Sequence, residues 1–290
     1  MKILVIGQSV VDKINSSKNK ITQAGGIYYS ILGLNSILTT YDEVTLISSV
    51  SKNSYKYFAD EYDKVNKKYL NWSDIIPTVT LNIYNDRERD EQYDSINSSL
   101  YIRYNLLNEY DGILLNMVTG YDISLDQLKR MRQNYKKTIY LDVHTMARRL
   151  GKDMRREFRV IPNFLEWAKN VDIIQTNETE FTCLIDKKND IDIAESILNC
   201  GVKYLIKTMG NKGTRVYSKD GNEIKSVFLS AVKVKVGTSV GCGDVFGSVF
   251  FYNYIKKEAL NNILIKANKA SAFAASCNDV ESMRKLSNEL

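Results

Sequence analysis

The residues whose types and spacing could do chemistry together are Gly241, Cys242, Gly243 and Asp244, within "VGTSVGCGDVFGSVFFYNYI" (236–255). Val245, Phe246, Val249 and Phe250 recur at helical spacing, so a helix is expected to begin near Gly243. Glycines there let a ligand come close to the backbone, and the N–H groups of a first helical turn attract an anion. A carboxylate beside an anion site makes sense if Asp244 takes up a proton while the amides of Gly241, Cys242 and Gly243 hold a phosphoryl group. A glycine-capped helix whose aspartate complements its dipole accounts for the same residues without a ligand.

Other groups could complete such a site. The run "VDIIQTN" (171–177) ends on Asn177, and Glu180 follows in "NETE". An amide and a carboxylate at a strand end could organise a hydrated Mg²⁺, which keeps several waters and takes few protein carboxylates. Asn177 as N-cap with Glu180 three residues on is equally a capping box. Thr208, Gly210 and Gly213 in "TMGNKG" could pack the phosphates or ribose of a nucleotide, or turn a hairpin into "TRVYS". Near the start, Asp12 lies beyond the first apolar run and could accept hydrogen bonds from the hydroxyls of a polyol. Gly25 and Gly26, in the "AGG" before the helical "YYSILGLNSIL", could let such a molecule approach the backbone.

Several functions are excluded by what is missing. There is no G-x-x-x-x-G-K-[ST], hence no P-loop, and Gly7 after the first apolar run stands without a G-x-G-x-x-G. The net charge of +6 comes from 40 basic and 34 acidic residues that are interspersed. That balance suits an anionic ligand, and no arginine-rich arm or recognisable module argues for nucleic acid. Cys183, Cys200, Cys242 and Cys277 lie far apart with no C-x-x-C pair, which argues for a reducing, cytoplasmic setting and against a zinc site. The opening "MKILVIGQSVV" reads as a strand and not a leader, and no apolar run reaches membrane-spanning length, so a soluble protein is expected.

Elements that must position these residues follow from the apolar runs. Strands are predicted over 2–7, 43–50, 112–118, 138–144, 171–177 and 203–210. Helical patterns fall between them, as in 124–135 and in 192–201 with Gly201 as C-cap. The alternation predicts an α/β fold with a mostly parallel sheet covered by helices on both faces, whose ligands sit at the carboxyl ends of strands. "TVTLNIYNDRERDEQYDS" (78–95) breaks the rhythm and reads as an antiparallel hairpin around "NDRE", with the polar stretch 13–23 as its partner. It is a candidate lid on one domain spanning 1–290.

Taken together and in this order, "GQSVVD", "AGG", the 78–89 segment, "NETE", "TMGNKG" and "GCGDVFGSVF" resemble the PfkB/ribokinase family of carbohydrate and nucleoside kinases. The resemblance covers essentially the whole chain, and its most specific part is similar to the family's G-A-G-D-x-F signature. It implies an ATP-dependent kinase with a Rossmann-like core and a β-lid that can form a homodimer contact. It also implies Asp244 as base, Gly241–Gly243 as anion hole, and Asn177 with Glu180 on Mg²⁺ and phosphate. By the same resemblance Thr208, Gly210 and Gly213 touch nucleotide, and Asp12, Gly25 and Gly26 touch the acceptor, most simply a sugar.

Some positions depart from the family pattern. Thr238 stands where an aspartate is common, which argues against potassium activation. Ser30 replaces an asparagine that would contact a sugar hydroxyl. Tyr28 and Tyr29 beside it could stack on a ring, as a nucleoside acceptor would require. Cys242 replaces an alanine; packing explains it, and so would a reactive thiol at a helix N-terminus. His144, the single histidine, ends a predicted strand and reads as packed or as a substrate contact. The stretch 266–277 is expected near the adenine. A ligand-binding protein that keeps the fold without catalysis is the alternative from another class.

Overall fold

The computed structural model describes residues 1–15, 20–84 and 90–288. Its centre is an eight-stranded sheet. From one edge the strands are Glu223–Ser230, Gly213–Asp220, Tyr204–Thr208, Ile173–Asn177, Thr138–Asp142, Gly112–Asn116, Lys2–Ile6 and Glu43–Ile47. The last six in that order are parallel to their neighbours; the first two close the sheet as an antiparallel hairpin.

Each parallel strand is short and rich in Val, Ile and Leu because both of its faces are covered. Alternate side chains enter separate cores: Ile3 and Val5 pack on one side, Leu4 and Ile6 on the other. The first core is covered by the helices Tyr28–Asn35, Cys242–Ile255 and Leu260–Ser276, and the second by Leu125–Asn134 and Asp190–Leu198. All six predicted strands form, each trimmed by a residue or more, and the 43–50 run breaks after Ile47.

Local chemistry sets the helix ends. Ser124 and Gln127 form a capping box before Leu125–Asn134. The Asp190–Leu198 helix is capped by Asn199 and not by Gly201 as expected; Gly201, at φ +99°, instead turns the chain two residues later.

A four-stranded sheet stands beside the carboxyl ends of the parallel strands, in the order Lys20–Gly26, Ser9–Asn15, Thr78–Asn82 and Asp90–Tyr93. The 78–95 hairpin pairs as expected, with Asn82 opposite Asp90, and 13–23 does supply its neighbours. The tips of both hairpins, including "NDRE", lie outside the described residues. Asp12, beyond the first apolar run, sits inside the Ser9–Asn15 strand, and "AGG" completes the Lys20–Gly26 strand just before the Tyr28–Asn35 helix. Strand alternation points Val10, Asp12, Val79, Leu81, Glu91 and Tyr93 to one face of this sheet, all of them buried and all on the wall of one cleft. No helix among the described residues is long and apolar enough to cross a membrane.

Candidate active site

The cleft lies between the small sheet and the carboxyl edge of the large one. Its volume is about 1180 Å³, more than a single pocket for a drug-sized molecule needs. One end is lined by Asp12, Gly26, Tyr29, Glu91 and Tyr93; the other by Asn177, Glu180, Thr208, Gly210 and Gly213. Gly241, Cys242, Gly243 and Asp244 lie on the wall between.

The helix Cys242–Ile255 begins in this cleft. Gly241 is its N-cap at φ +81°, a left-handed conformation that glycine adopts without strain. A Cβ at Gly241 would also lie 2.3 Å from the Tyr29 ring. The intrahelical ladder starts at Val245 N–H, which donates to Gly241 O, so the helix provides no acceptor for the amides of its first turn. Asp244 is buried in that turn and accepts from Asn116 Nδ2 at 2.5 Å. A carboxylate and an array of backbone donors thus share the wall of one cleft.

Three residues absent from the sequence reading hold this turn. Asn116, Asp142 and Gln175 end or nearly end three adjacent parallel strands and are register partners in a row. Gln175 Nε2 donates to Asp142 Oδ2 at 3.0 Å and to Gly243 O at 2.9 Å, while its Oε1 accepts from Tyr140 O–H at 2.6 Å. Gln175 thereby fixes the peptide that follows Gly243. Burial, then the charges of Asp244 and Glu180, push the Asp142 carboxyl well above the usual carboxylate range. The signal for Asn116 and Asp142 was a polar residue closing an otherwise apolar strand, and for Gln175 a polar residue two places before its strand ends.

Asn177 and Glu180 form the capping box of the helix Glu178–Thr182. Asn177 Oδ1 accepts from Glu180 N, and Glu180 accepts from Asn177 N and Nδ2, each at 2.8 Å. Both residues nevertheless line the cleft. A carboxylate and an amide on the cleft wall are donor types that suit a hydrated Mg²⁺ held through water. Among the described residues no group of three or more His, Cys, Asp or Glu could hold an ion directly.

Thr208, Gly210 and Gly213 turn the chain into the antiparallel strand Gly213–Asp220, as one of their two readings had it, and they line the cleft. Gly213, at φ +126°, lies where a Cβ would come within 2.1 Å of Leu229 O. Val232, Lys233, Val234 and Val236 also line the cleft, as do Asn268, Ser271, Ala272 and Ala275 of the 260–276 helix.

At the other end Gly26 lines the cleft and Gly25 does not. The Asp12 carboxyl covers Gly25, so this glycine makes room for an acid where a substrate path was expected. Tyr29 lines the cleft and accepts from Gln23 Nε2 at 2.6 Å. Burial, then Asp12, raise its phenol well above the ordinary value and keep it neutral. Tyr28 turns away, donating to Asp60 at 2.8 Å. Ser30 is buried beneath the cleft wall, where Asn116 donates to it at 3.3 Å. Thr238, Cys242 and His144 line the cleft; Cys242 Sγ lies 3.7 Å from Thr238 O. Glu91 forms a buried ion pair with Arg148 at 3.8 Å. Among the described residues Lys212 and Lys233 are the lysines that line the cleft, and Lys212 lies between Gly210 and Gly213.

A family model described as pfkB family carbohydrate kinase matches residues 124–285, more than half of the chain. No curated protein matches the sequence. Solved structures share the fold at low identity. A pyrophosphate-dependent kinase in the ribokinase family superposes with a TM-score of 0.82 at 14% identity, covering 100% of both chains. Arabidopsis thaliana ribokinase, complexed with ribose and ATP, gives 0.71 at 17%, covering 98% of each. A candidate ribokinase II from E. coli, bound to ATP and Mg²⁺, gives 0.76 at 18%, covering 99% of this chain and 98% of the other. The fold is therefore ribokinase-like.

Proposed function

Because the chain belongs to the pfkB family of carbohydrate kinases, we propose that its cleft moves the γ-phosphate of ATP to a hydroxyl of a small, polyhydroxylated acceptor of the sugar type. The observation that carries the reading is the buried Asp244 in the first turn of the Cys242–Ile255 helix, inside a cleft with room for two ligands.

The acceptor lies against Asp12, Gly26 and Tyr29, with one hydroxyl directed at Asp244. Asp244 takes the hydroxyl proton, the oxygen bonds to the γ-phosphorus, and the bond to the β-phosphate oxygen breaks with its electrons leaving on ADP. The amides of Gly241, Cys242 and Gly243 hold the charge of the phosphoryl group in transit. Asn177 and Glu180 would hold Mg²⁺ through water, and the ion when bound offsets charge on the donor phosphates. Thr208, Gly210 and Gly213 lie along the donor. The small sheet covers the acceptor and excludes water, which would otherwise compete as nucleophile.

Two features of the wall narrow the ligands. Val232, Val234 and Val236 are substantially exposed and line the cleft, as do Ala272 and Ala275. That apolar lining suits a nucleobase and has no use for bare pyrophosphate, which supports ATP as donor. The acceptor end carries Asp12 and Glu91, with Arg148 committed to Glu91. An acceptor already bearing phosphate would meet negative charge there, so an uncharged one is favoured. The retained Asp244, Asn177 and Glu180 support catalysis over a binding-only role. The test is a phosphorylation assay over neutral sugars, polyols and nucleosides, with ATP and with pyrophosphate, each with Mg²⁺. Turnover of a neutral acceptor with ATP is expected; no turnover of any acceptor with either donor contradicts the reading.

A further inference from the structure

Asn116 combines three observations that a packing role does not explain. It closes an apolar strand and is fully buried. Its Nδ2 serves two acceptors, Asp244 Oδ1 at 2.5 Å and Ser30 Oγ at 3.3 Å. Its Oδ1 is buried with no hydrogen-bond partner. Leaving a buried acceptor unpaired is unfavourable, and buried polar groups are paired in the great majority of cases. Turning the carboxamide over would set Oδ1 against the Asp244 carboxyl, an arrangement compatible only with a protonated Asp244. The observed orientation gives Asp244 a donor at the expense of the orphaned oxygen.

We propose that Asn116 is a positioning residue for phosphoryl transfer: its carboxamide donates to Asp244 Oδ1 and so orients the carboxylate that receives the acceptor's proton. This rests on Asp244 being the base. Hydrogen bonding to the charged form of a carboxylate favours that form. Charged or titratable groups near Asp244 among the described residues include Asp142 from the neighbouring strand, Tyr29 from the helix Tyr28–Asn35, Cys242 in the same turn, and Asp12, His144 and Glu180 along the cleft. Four of these seven, counting Asp244 itself, are carboxyls, so a neutral donor gives Asp244 a hydrogen bond without adding charge.

Removing one partner of a buried hydrogen bond to a carboxylate also destabilises the fold, so function is read per folded protein. Asn116→Leu is therefore expected to lower Tm and, per folded molecule, to lower kcat about tenfold to a hundredfold, the range for losing a hydrogen bond to a charged group. KM for ATP and for the acceptor should stay within about twofold. Asn116→Asp supplies a second, independent reading. Its carboxyl can donate to Asp244 when protonated and repels it when ionised. Activity relative to the parent enzyme should therefore fall as pH rises from about 5 to 8.

An Asn116→Leu protein with unchanged kcat overturns the proposal. So does one whose kcat falls merely in proportion to the folded protein lost. Should the leucine protein not fold, the aspartate variant decides: a flat activity ratio across that pH range overturns it. Asp244→Asn is measured alongside. If that variant turns over normally, the base reading itself is wrong; if it is inactive while Asn116→Leu is fully active, this inference alone is wrong.

Discussion

The carboxyl of Asp12 lies directly above Gly25 on the neighbouring strand, so that a Cβ on Gly25 would come within 2.2 Å of it. Glycine here makes space for a side chain. Gly25→Ala should displace Asp12 while leaving the Gly241–Asp244 turn in place. The expected result is an acceptor KM raised about tenfold or more with donor KM unchanged, read from steady-state kinetics with each substrate varied in turn. Equal loss in both KM values would place the defect outside the acceptor end.

Gly241 meets a harder constraint, since its φ of +81° and the Tyr29 ring at 2.3 Å both exclude a side chain. Gly241→Ala combines left-handed strain of about 1–2 kcal/mol with overpacking of about 1–3 kcal/mol. Denaturant unfolding should show a loss of roughly 2–5 kcal/mol, and donor binding should weaken in whatever protein remains folded. Stability within 0.5 kcal/mol of the parent would mean that the helix start is not held as described.

Asp142 offers a pH test. Burial, then Asp244 and Glu180, raise its carboxyl well above the usual range in the folded chain. The unfolded chain ionises this residue near its ordinary pKa, about 3.9, so between that pH and the raised folded value the unfolded state gains relative to the folded one. Asp142 therefore destabilises increasingly as pH rises above about 4. Asp142→Asn should match the parent protein near pH 3.5 and be more stable at pH 7, by a margin that grows between. A difference in Tm that is independent of pH would contradict this.

The charge of the acceptor end predicts selectivity. With Asp12 and Glu91 on the wall and, among the described residues, the lining lysines near the donor end, kcat/KM for a neutral acceptor should exceed that for its monophosphate by about 100-fold or more. A phosphorylated acceptor that is equal or better would show that a cation enters this end on binding.

Much of this arrangement was legible in the chain. The six strands, the late helix and the hairpin pairing of 78–95 follow from apolar periodicity, because a strand covered on both faces must be continuous in Val, Ile and Leu. Asp244 and the Asn177–Glu180 pair could be singled out because the residues beside them in sequence line the same cleft. Asn116, Asp142 and Gln175 were missed because they lie far apart in the chain and meet through parallel register, which no local spacing encodes. Asp12 and Gly25 illustrate the same limit: strand pairing, not proximity, turned a presumed substrate path into space for a carboxylate. Glu91 belonged to a hairpin read for its shape, so its inward side chain and its partner Arg148 went unnoticed.

The central claim is that Asp244 receives the acceptor's proton while the helix start holds the phosphoryl group, and Asp244→Asn tests it most directly. With ATP and a working acceptor, single-turnover measurements should show ATP affinity within about threefold of the parent protein and a transfer rate lower by about 10²–10⁴. Transfer within tenfold of the parent rate, at unchanged affinity, would contradict the account.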